Sequence, residues 1–255
     1  MGETSFKFGR NDELFGVYHA PAGEGGRGVV FCAPFAEEKK CSYRTFAGAA
    51  RAFAAAGTAC LRLDYFGTGD SGGQFSEFSP SRAAHDIAAA AGELRKRAGV
   101  SRVVLLGLRL GGTMALAAAP RAGAESVILW QPVVSGKSFF DLTIKRQMLR
   151  KQLIGSDGGE SSADIIDLDG FAVSRAAAEE IRSLDCAASA ADSPGPIRLL
   201  QISHSVDVSR EYRKLADALG GRVSIATVKC PPFWNRIDLT DASEVVEKTM
   251  AWLGG

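Results

Sequence analysis

One stretch constrains this chain more than any other: Ser101–Ala119, SRVVLLGLRLGGTMALAAA. Val103–Leu106 is an uninterrupted apolar run that reads as a buried parallel strand. Gly107-Leu108-Arg109-Leu110-Gly111-Gly112 follows, and Thr113–Ala119 reads as a short buried helix. Glycines at 107, 111 and 112 let strand and helix approach closely and tolerate a strained turn. The residue at the tip, Arg109, is then held out at the top of a sheet, above a helix N-terminus. A strand that is apolar throughout needs cover on both faces, so the rest of the chain must supply more strands and more helices.

It does so in alternation. Apolar strands are expected at Gly28–Cys32, Ala59–Leu63, Ser126–Trp130, Ile197–Ile202 and Val223–Val228. Helices are expected at Tyr43–Ala55, Arg82–Arg97, Arg210–Leu219 and Glu244–Leu253. Thr4–Phe8 and Leu14–His19, joined by a Gly9–Asn11 turn, read as an antiparallel hairpin at the sheet edge. The rhythm stops at Pro132. Lys137–Leu153 reads as a charged amphipathic helix, Ile154–Ser162 as a mobile connection, Asp164–Phe171 as a short strand or turn, and Ser174–Ser183 as a helix. The expected fold is α/β: a mostly parallel central sheet with helices on both faces and a small helical cap. Residues 1–132 and 191–255 form the core, and 133–190 are an inserted cap over the carboxyl edge of the sheet. A length of 255 residues and 46% hydrophobic content suit one such domain.

Thirty basic and 29 acidic side chains give a formal charge of +1, which offers no reason to expect a nucleic-acid partner. The five cysteines are odd in number and show no CxxC pattern, which fits a reducing compartment. The N-terminus lacks an apolar signal region, Phe6 stands where a myristoylation signal needs Ser or Thr, and no run reaches transmembrane length. A cytoplasmic location is therefore expected. No His, Asp or Glu spacing suggests a metal, and no cofactor is expected.

Three blocks together carry a resemblance. Gly107–Gly111 resembles the G-x-S-x-G nucleophile elbow of α/β-hydrolases. Asp64-Tyr65-Phe66-Gly67-Thr68-Gly69-Asp70-Ser71 resembles the D-x-x-G-x-G-x-S turn of the serine-aminopeptidase-like group. Asp207 follows a strand and precedes a helix, as the triad acid does. The order and spacing imply the α/β-hydrolase fold over nearly the whole chain. A closer resemblance is to the second type of exosortase-A-system-associated hydrolase. It rests on Pro34–Glu38, Gly107–Gly111, Trp130–Lys137 and Pro231–Trp234. That resemblance implies a bacterial exosortase and exopolysaccharide setting, and a hydrolase label inherited from the superfamily.

The residues depart from that chemistry. Arg109 stands at the nucleophile position, and a guanidinium stays protonated and has no lone pair to attack a carbonyl. Only His19, His85 and His204 exist, and Cys230–Leu239, where the general base should lie, contains none. The strand-end loop reads Ala33-Pro34-Phe35-Ala36 instead of beginning His-Gly. Of the triad only Asp207 remains. A cation above a helix N-terminus needs a counter-charge. Glu37 or Glu38, from the neighbouring loop, and Asp207, from opposite, are the candidates.

Two functions compete. One is hydrolysis of a small ester-type or acyl substrate by water activated by Glu37, Glu38, Asp207 or His204, with Arg109 stabilising the oxyanion. The other is a non-catalytic accessory protein that binds a small acidic ligand or a partner in the altered pocket. Phe35, Leu110, Trp234, Phe139 and Phe140 are the expected apolar walls. Cys41, just before a helix, is a further nucleophile candidate, and Ser42 and Ser71 read as cap or turn residues. A homodimer through the edge strand or the cap stays open.

Overall fold

The computed structural model describes residues 2–23, 25–154, 163–236 and 240–254. The chain opens with β1 (Glu3–Phe8) and β2 (Leu14–His19), paired antiparallel with Glu3 opposite His19. There follow β3 (Arg27–Cys32), α1 (Glu37–Ala55), β4 (Ala59–Asp64), α2 (Pro80–Ala98), β5 (Arg102–Leu108), α3 (Leu110–Ala122) and β6 (Ser126–Trp130). Next come α4 (Gly136–Ile154), β7 (Ile165–Leu168), β8 (Phe171–Ser174), α5 (Arg175–Ser183) and α6 (Cys186–Ala191). The chain closes with β9 (Ile197–Ser203), α7 (Arg210–Leu219), β10 (Val223–Lys229) and α8 (Ser243–Leu253).

Eight strands form one sheet in the order β1-β2-β4-β3-β5-β6-β9-β10. β2 runs antiparallel to its neighbours β1 and β4, and every other pairing is parallel. Helix α1 packs beside α8, while α2, α3, α6 and α7 pack in succession against one another. The central strands β5 and β6 are buried along almost their whole length, which is why they read as continuous apolar runs. This is the α/β-hydrolase architecture expected from the sequence, with the hairpin at the edge.

β6 pairs directly with β9, so residues 131–196 leave the sheet and return beside the strand they left. Three local expectations are corrected. Helix α1 begins at Glu37, not Tyr43. Ala36, at φ 51° and ψ −125°, breaks the chain sharply out of the strand-end loop, and the acidic first turn with its Glu37–Lys40 pair at 3.1 Å suits a helix start. The short strand or turn is a hairpin, β7–β8, whose corner residues Asp169 (φ 50°) and Gly170 (φ 88°) make the left-handed pair such a tight turn needs. α6 was not expected; Asp185 caps it by accepting from the Ala188 N–H at 2.9 Å. Most of the connection expected to be mobile, 155–162, lies outside the described residues.

Candidate active site

The turn between β5 and α3 is built by exclusion. A Cβ on Gly107 would stand 2.4 Å from the Gly111 carbonyl oxygen, and one on Gly111 would stand 2.3 Å from the Cys32 carbonyl oxygen. The two glycines therefore let α3 start directly against the ends of β5 and β3. Arg109, between them, has φ 55° and ψ −124°. This is a strained conformation for a residue with a side chain. Ala36, at the β3–α1 turn, has nearly the same angles. Main-chain bonds hold the elbow: Arg109 N–H donates to the Trp130 carbonyl at 3.0 Å, and its own carbonyl accepts from Gly112 N–H at 3.0 Å.

The Arg109 side chain is committed. Nε lies 3.2 Å from Glu38 Oε1, and Nη1 donates to the Gln131 carbonyl at 3.3 Å. The guanidinium carbon lies 5.5 Å from the Trp234 ring centroid and 5.8 Å from that of Phe139. Gln131 is itself held: its Oε1 accepts from Ile202 N–H at 2.7 Å, and the adjoining Pro132 carbonyl accepts from Tyr212 Oη at 2.9 Å. The Trp130–Val133 block thus ties β6, β9 and α7 together beneath the elbow.

Glu38 is the unusual member. Its Oε2 is buried without a hydrogen-bond partner. Burial pushes its pKa up, against the opposing charges of Arg109 and, more weakly, Arg146. Glu38 borders a cavity of about 320 Å³ whose walls include Phe35, Phe139, Arg146, Arg150, Phe171 and Trp234. Arg109 is not among those walls. Across the first turn of α1 a larger cavity, about 530 Å³, shares Phe35, Ala36, Cys41 and Phe171 with the first. It is walled further by Phe75 and Phe78, with Lys39, Lys40 and Arg44 at its border. Lys39 there pairs with Asp64 at 2.7 Å, and Ser71 Oγ both donates to the Asp64 carbonyl and accepts from Phe15 N–H. The D-x-x-G-x-G-x-S turn is thereby a structural clasp.

The structure brings together Arg109, Glu38, Phe35, Phe139 and Trp234. Glu37 also borders the smaller cavity, but it is exposed and its carboxylate pairs with Lys40, not Arg109. The structure leaves the other expected residues elsewhere. Leu110 and Phe140 are fully buried in the core and border neither cavity. Asp207 is exposed beside Val206 and Arg213, and His204 is exposed with no side-chain hydrogen bond among the described residues. Asp207 therefore supplies no counter-charge to Arg109. Cys41 sits one turn inside α1, where burial and then Glu37 and Glu38 push its thiol pKa up; this is the opposite of activation. Ser42 is no cap: its hydroxyl donates back to the Glu38 carbonyl at 2.7 Å. No cluster that could hold a metal occurs among the described residues.

Sequence reasoning missed Arg146 and Arg150. Phe139, Thr143, Arg146 and Arg150 all border the smaller cavity. They recur at i, i+4, i+7 and i+11, one face of a helix, so the spacing held the signal. Arg150 pairs with Asp169 at 2.9 Å, whereas Arg146 has no ion pair among the described residues.

Residues 27–154 match the family described as serine aminopeptidase, S33. No curated protein matches the sequence. Among solved structures, Est1E from Butyrivibrio proteoclasticus, bound to ferulic acid, is similar with a TM-score of 0.72 and 16% identity, covering 94% of each chain. DcsB in complex with its substrate analogue has a TM-score of 0.66 and 15% identity over 98% of this chain and 97% of its own. XC6422 from Xanthomonas campestris, an α/β serine hydrolase without lid, has a TM-score of 0.59 and 16% identity over 98% of this chain and 94% of its own. At such identities the likeness is one of fold.

Proposed function

The chain belongs to the serine aminopeptidase S33 family of α/β-hydrolases, and from that premise we propose that it works as a ligand-binding member whose nucleophile position has become an ion pair. The observation that carries this reading is the Arg109–Glu38 contact at 3.2 Å at the tip of the elbow. A serine hydrolase needs an attacking hydroxyl there and a histidine beside it. Here the tip is a guanidinium, bound on one side to a carboxylate and on the other to a main-chain carbonyl. The triad is degenerate at both nucleophile and base. Loss of such a unit costs on the order of 10⁴–10⁶ in rate.

The ligand is a small acidic or acyl molecule. Arg146, without an ion pair, offers a charge-assisted contact to a carboxylate or phosphate at the border of the smaller cavity. The aromatic walls of the adjoining cavity offer room for an acyl or aryl part. The segment 133–190 acts as the cap, since α4 carries Phe139 and Arg146 to the cavity. The setting is the exosortase and exopolysaccharide system that the sequence resemblance implies; deletion in a host bearing that system should lower exopolysaccharide output.

A second reading rests on Glu38. A carboxylate with raised pKa and a free oxygen is a competent general base for water. The test separates the two. Purified protein is assayed with p-nitrophenyl acetate and butyrate, exposed to a fluorophosphonate, and titrated with short-chain carboxylates by NMR. The binding reading expects no turnover above buffer, no covalent label, and saturable carboxylate shifts weakened by Arg146→Gln. Turnover that Glu38→Gln abolishes would establish the hydrolytic reading instead.

A further inference from the structure

Helix α4 has three faces. Phe139, Thr143, Arg146 and Arg150 border the smaller cavity. Phe140 and Gln147 are buried, and Ile144 packs against the core. On the side opposite the buried residues, Leu142 (47% exposed), Leu149 (52%) and Leu153 (87%) stand open to solvent. At 3.6 residues per turn, positions i, i+7 and i+11 fall within about 40° of arc, so these leucines form one straight ridge. Met148, 59% exposed, lies farther round the same surface. A contiguous row of large apolar side chains on the outer surface is a contact site, not ordinary surface noise.

Charge decides what contacts it. Of the five basic residues on the helix, Lys145 and Arg146 flank the leucine ridge at helical spacing, whereas Lys137 and Lys151 fall on the opposite side and Arg150 on the cavity stripe. Lys137, Arg150 and Lys151 have acidic partners, whereas Lys145 and Arg146 have no ion pair among the described residues. A second copy of the same helix would set like charges against like, which disfavours self-association through this face. We propose that the outer face of α4 docks on an anionic lipid surface. Leucines enter the headgroup boundary, and Lys145 and Arg146 extend their stems along the apolar layer with their charges at lipid phosphates. No helix among the described residues is long and apolar enough to cross a membrane, so this is a peripheral contact. Arg146 lies between the ridge and the cavity on the helix surface, so docking places the cavity border beside the lipid.

The test is flotation of the full chain with vesicles of phosphatidylcholine alone or with about 30% phosphatidylglycerol, at low and raised salt. Binding is expected only with the anionic lipid and should weaken as salt rises. Leu149→Asp and, independently, Leu153→Asp should lower partition about tenfold or more, and Lys145→Glu should lower it severalfold. Val206→Asp, at an exposed apolar position away from α4, should leave it unchanged. Far-ultraviolet circular dichroism verifies that each variant is folded. Three results each overturn the proposal: no anionic-lipid dependence, partition indifferent to both leucine substitutions, or a dimer in solution that Leu149→Asp dissolves. Lipid docking stands or falls independently of the chemistry at Arg109.

Discussion

Glu38 Oε1 lies 3.2 Å from Arg109 Nε, while Glu38 Oε2, itself buried, has no hydrogen-bond partner. The pair is thus half satisfied: the carboxylate offers one oxygen to the cation at the elbow and leaves the other unpaired. The Arg109 side chain is 20% exposed and that of Glu38 15% exposed, so solvent screens the pair in part.

Glu38→Gln removes the counter-charge and leaves Arg109 without one above a helix N-terminus. The expected loss is about 2 kcal/mol, below the 3–5 kcal/mol typical of breaking a fully buried pair. Arg109→Met should instead drive Glu38 further toward its neutral form. The double variant should be more stable than Glu38→Gln alone, because no uncompensated charge remains. Urea unfolding of the three proteins, read as a double-mutant cycle, measures the coupling.

Acid stability should reflect two buried groups of opposite sign. His19 accepts from Arg62 Nε at 3.0 Å; burial, then the Arg62 charge, lowers its pKa to about 4. The unfolded chain binds that proton near pH 6.5, so this group costs about 3 kcal/mol as pH falls from 6.5 to 4. Asp86 accepts from Phe66 N–H at 2.9 Å, and burial raises its pKa to about 6. The folded state then takes up a proton that the unfolded chain does not bind until about pH 3.9, a gain of similar size as pH falls from 6 to 4. Glu38, also raised, acts in the same direction as Asp86. His19→Gln should leave a protein that gains stability on acidification through this window. Asp86→Asn should leave one that loses it faster than the parent. Thermal unfolding across pH 4–7 gives both slopes.

Gly111→Ala should be among the most damaging single changes in the chain. Its Cβ would meet main-chain oxygens of Cys32 and Ala33 at 2.3 and 2.4 Å, and neither strand end can yield without moving β3. A loss of about 3 kcal/mol or more, or failure to accumulate as soluble protein, is expected. Gly48→Ala, on the exposed side of α1 with open space around it, should be neutral or slightly stabilising. Soluble yield and denaturant midpoint distinguish the two.

Tyr212→Phe removes the hydroxyl that bonds the Pro132 carbonyl at 2.9 Å and leaves that buried acceptor unpaired. The expected cost is about 1–3 kcal/mol. The elbow main chain at Arg109, tied to the same block through Trp130 and Val133, should show raised amide exchange.

The sequence by itself determined the parts that follow from periodicity and exclusion. Continuous apolar runs at β5 and β6 required a sheet covered on both faces, and Gly107 with Gly111 required a close strand–helix turn with Arg109 at its tip. No histidine follows residue 204, which is why the sequence led to the expectation of an altered site. Tertiary structure alone decided which acid meets Arg109. Glu37, Glu38 and Asp207 were equivalent as letters, but α1 begins one residue after the Ala36 turn. Helical spacing then turns Glu38 toward the elbow, and Glu37 toward Lys40 at the exposed border of the cavity. Asp207 sits at the right place in the chain, yet its loop lies exposed at a separate surface depression. Leu110 and Phe140 show the same limit: their hydrophobicity fixed that they would be buried, but whether they wall a cavity or fill the core depends on the direction in which each helix faces. A counter-charge, a cavity wall and a core residue are relations between distant segments, and sequence spacing constrains such relations only within one element.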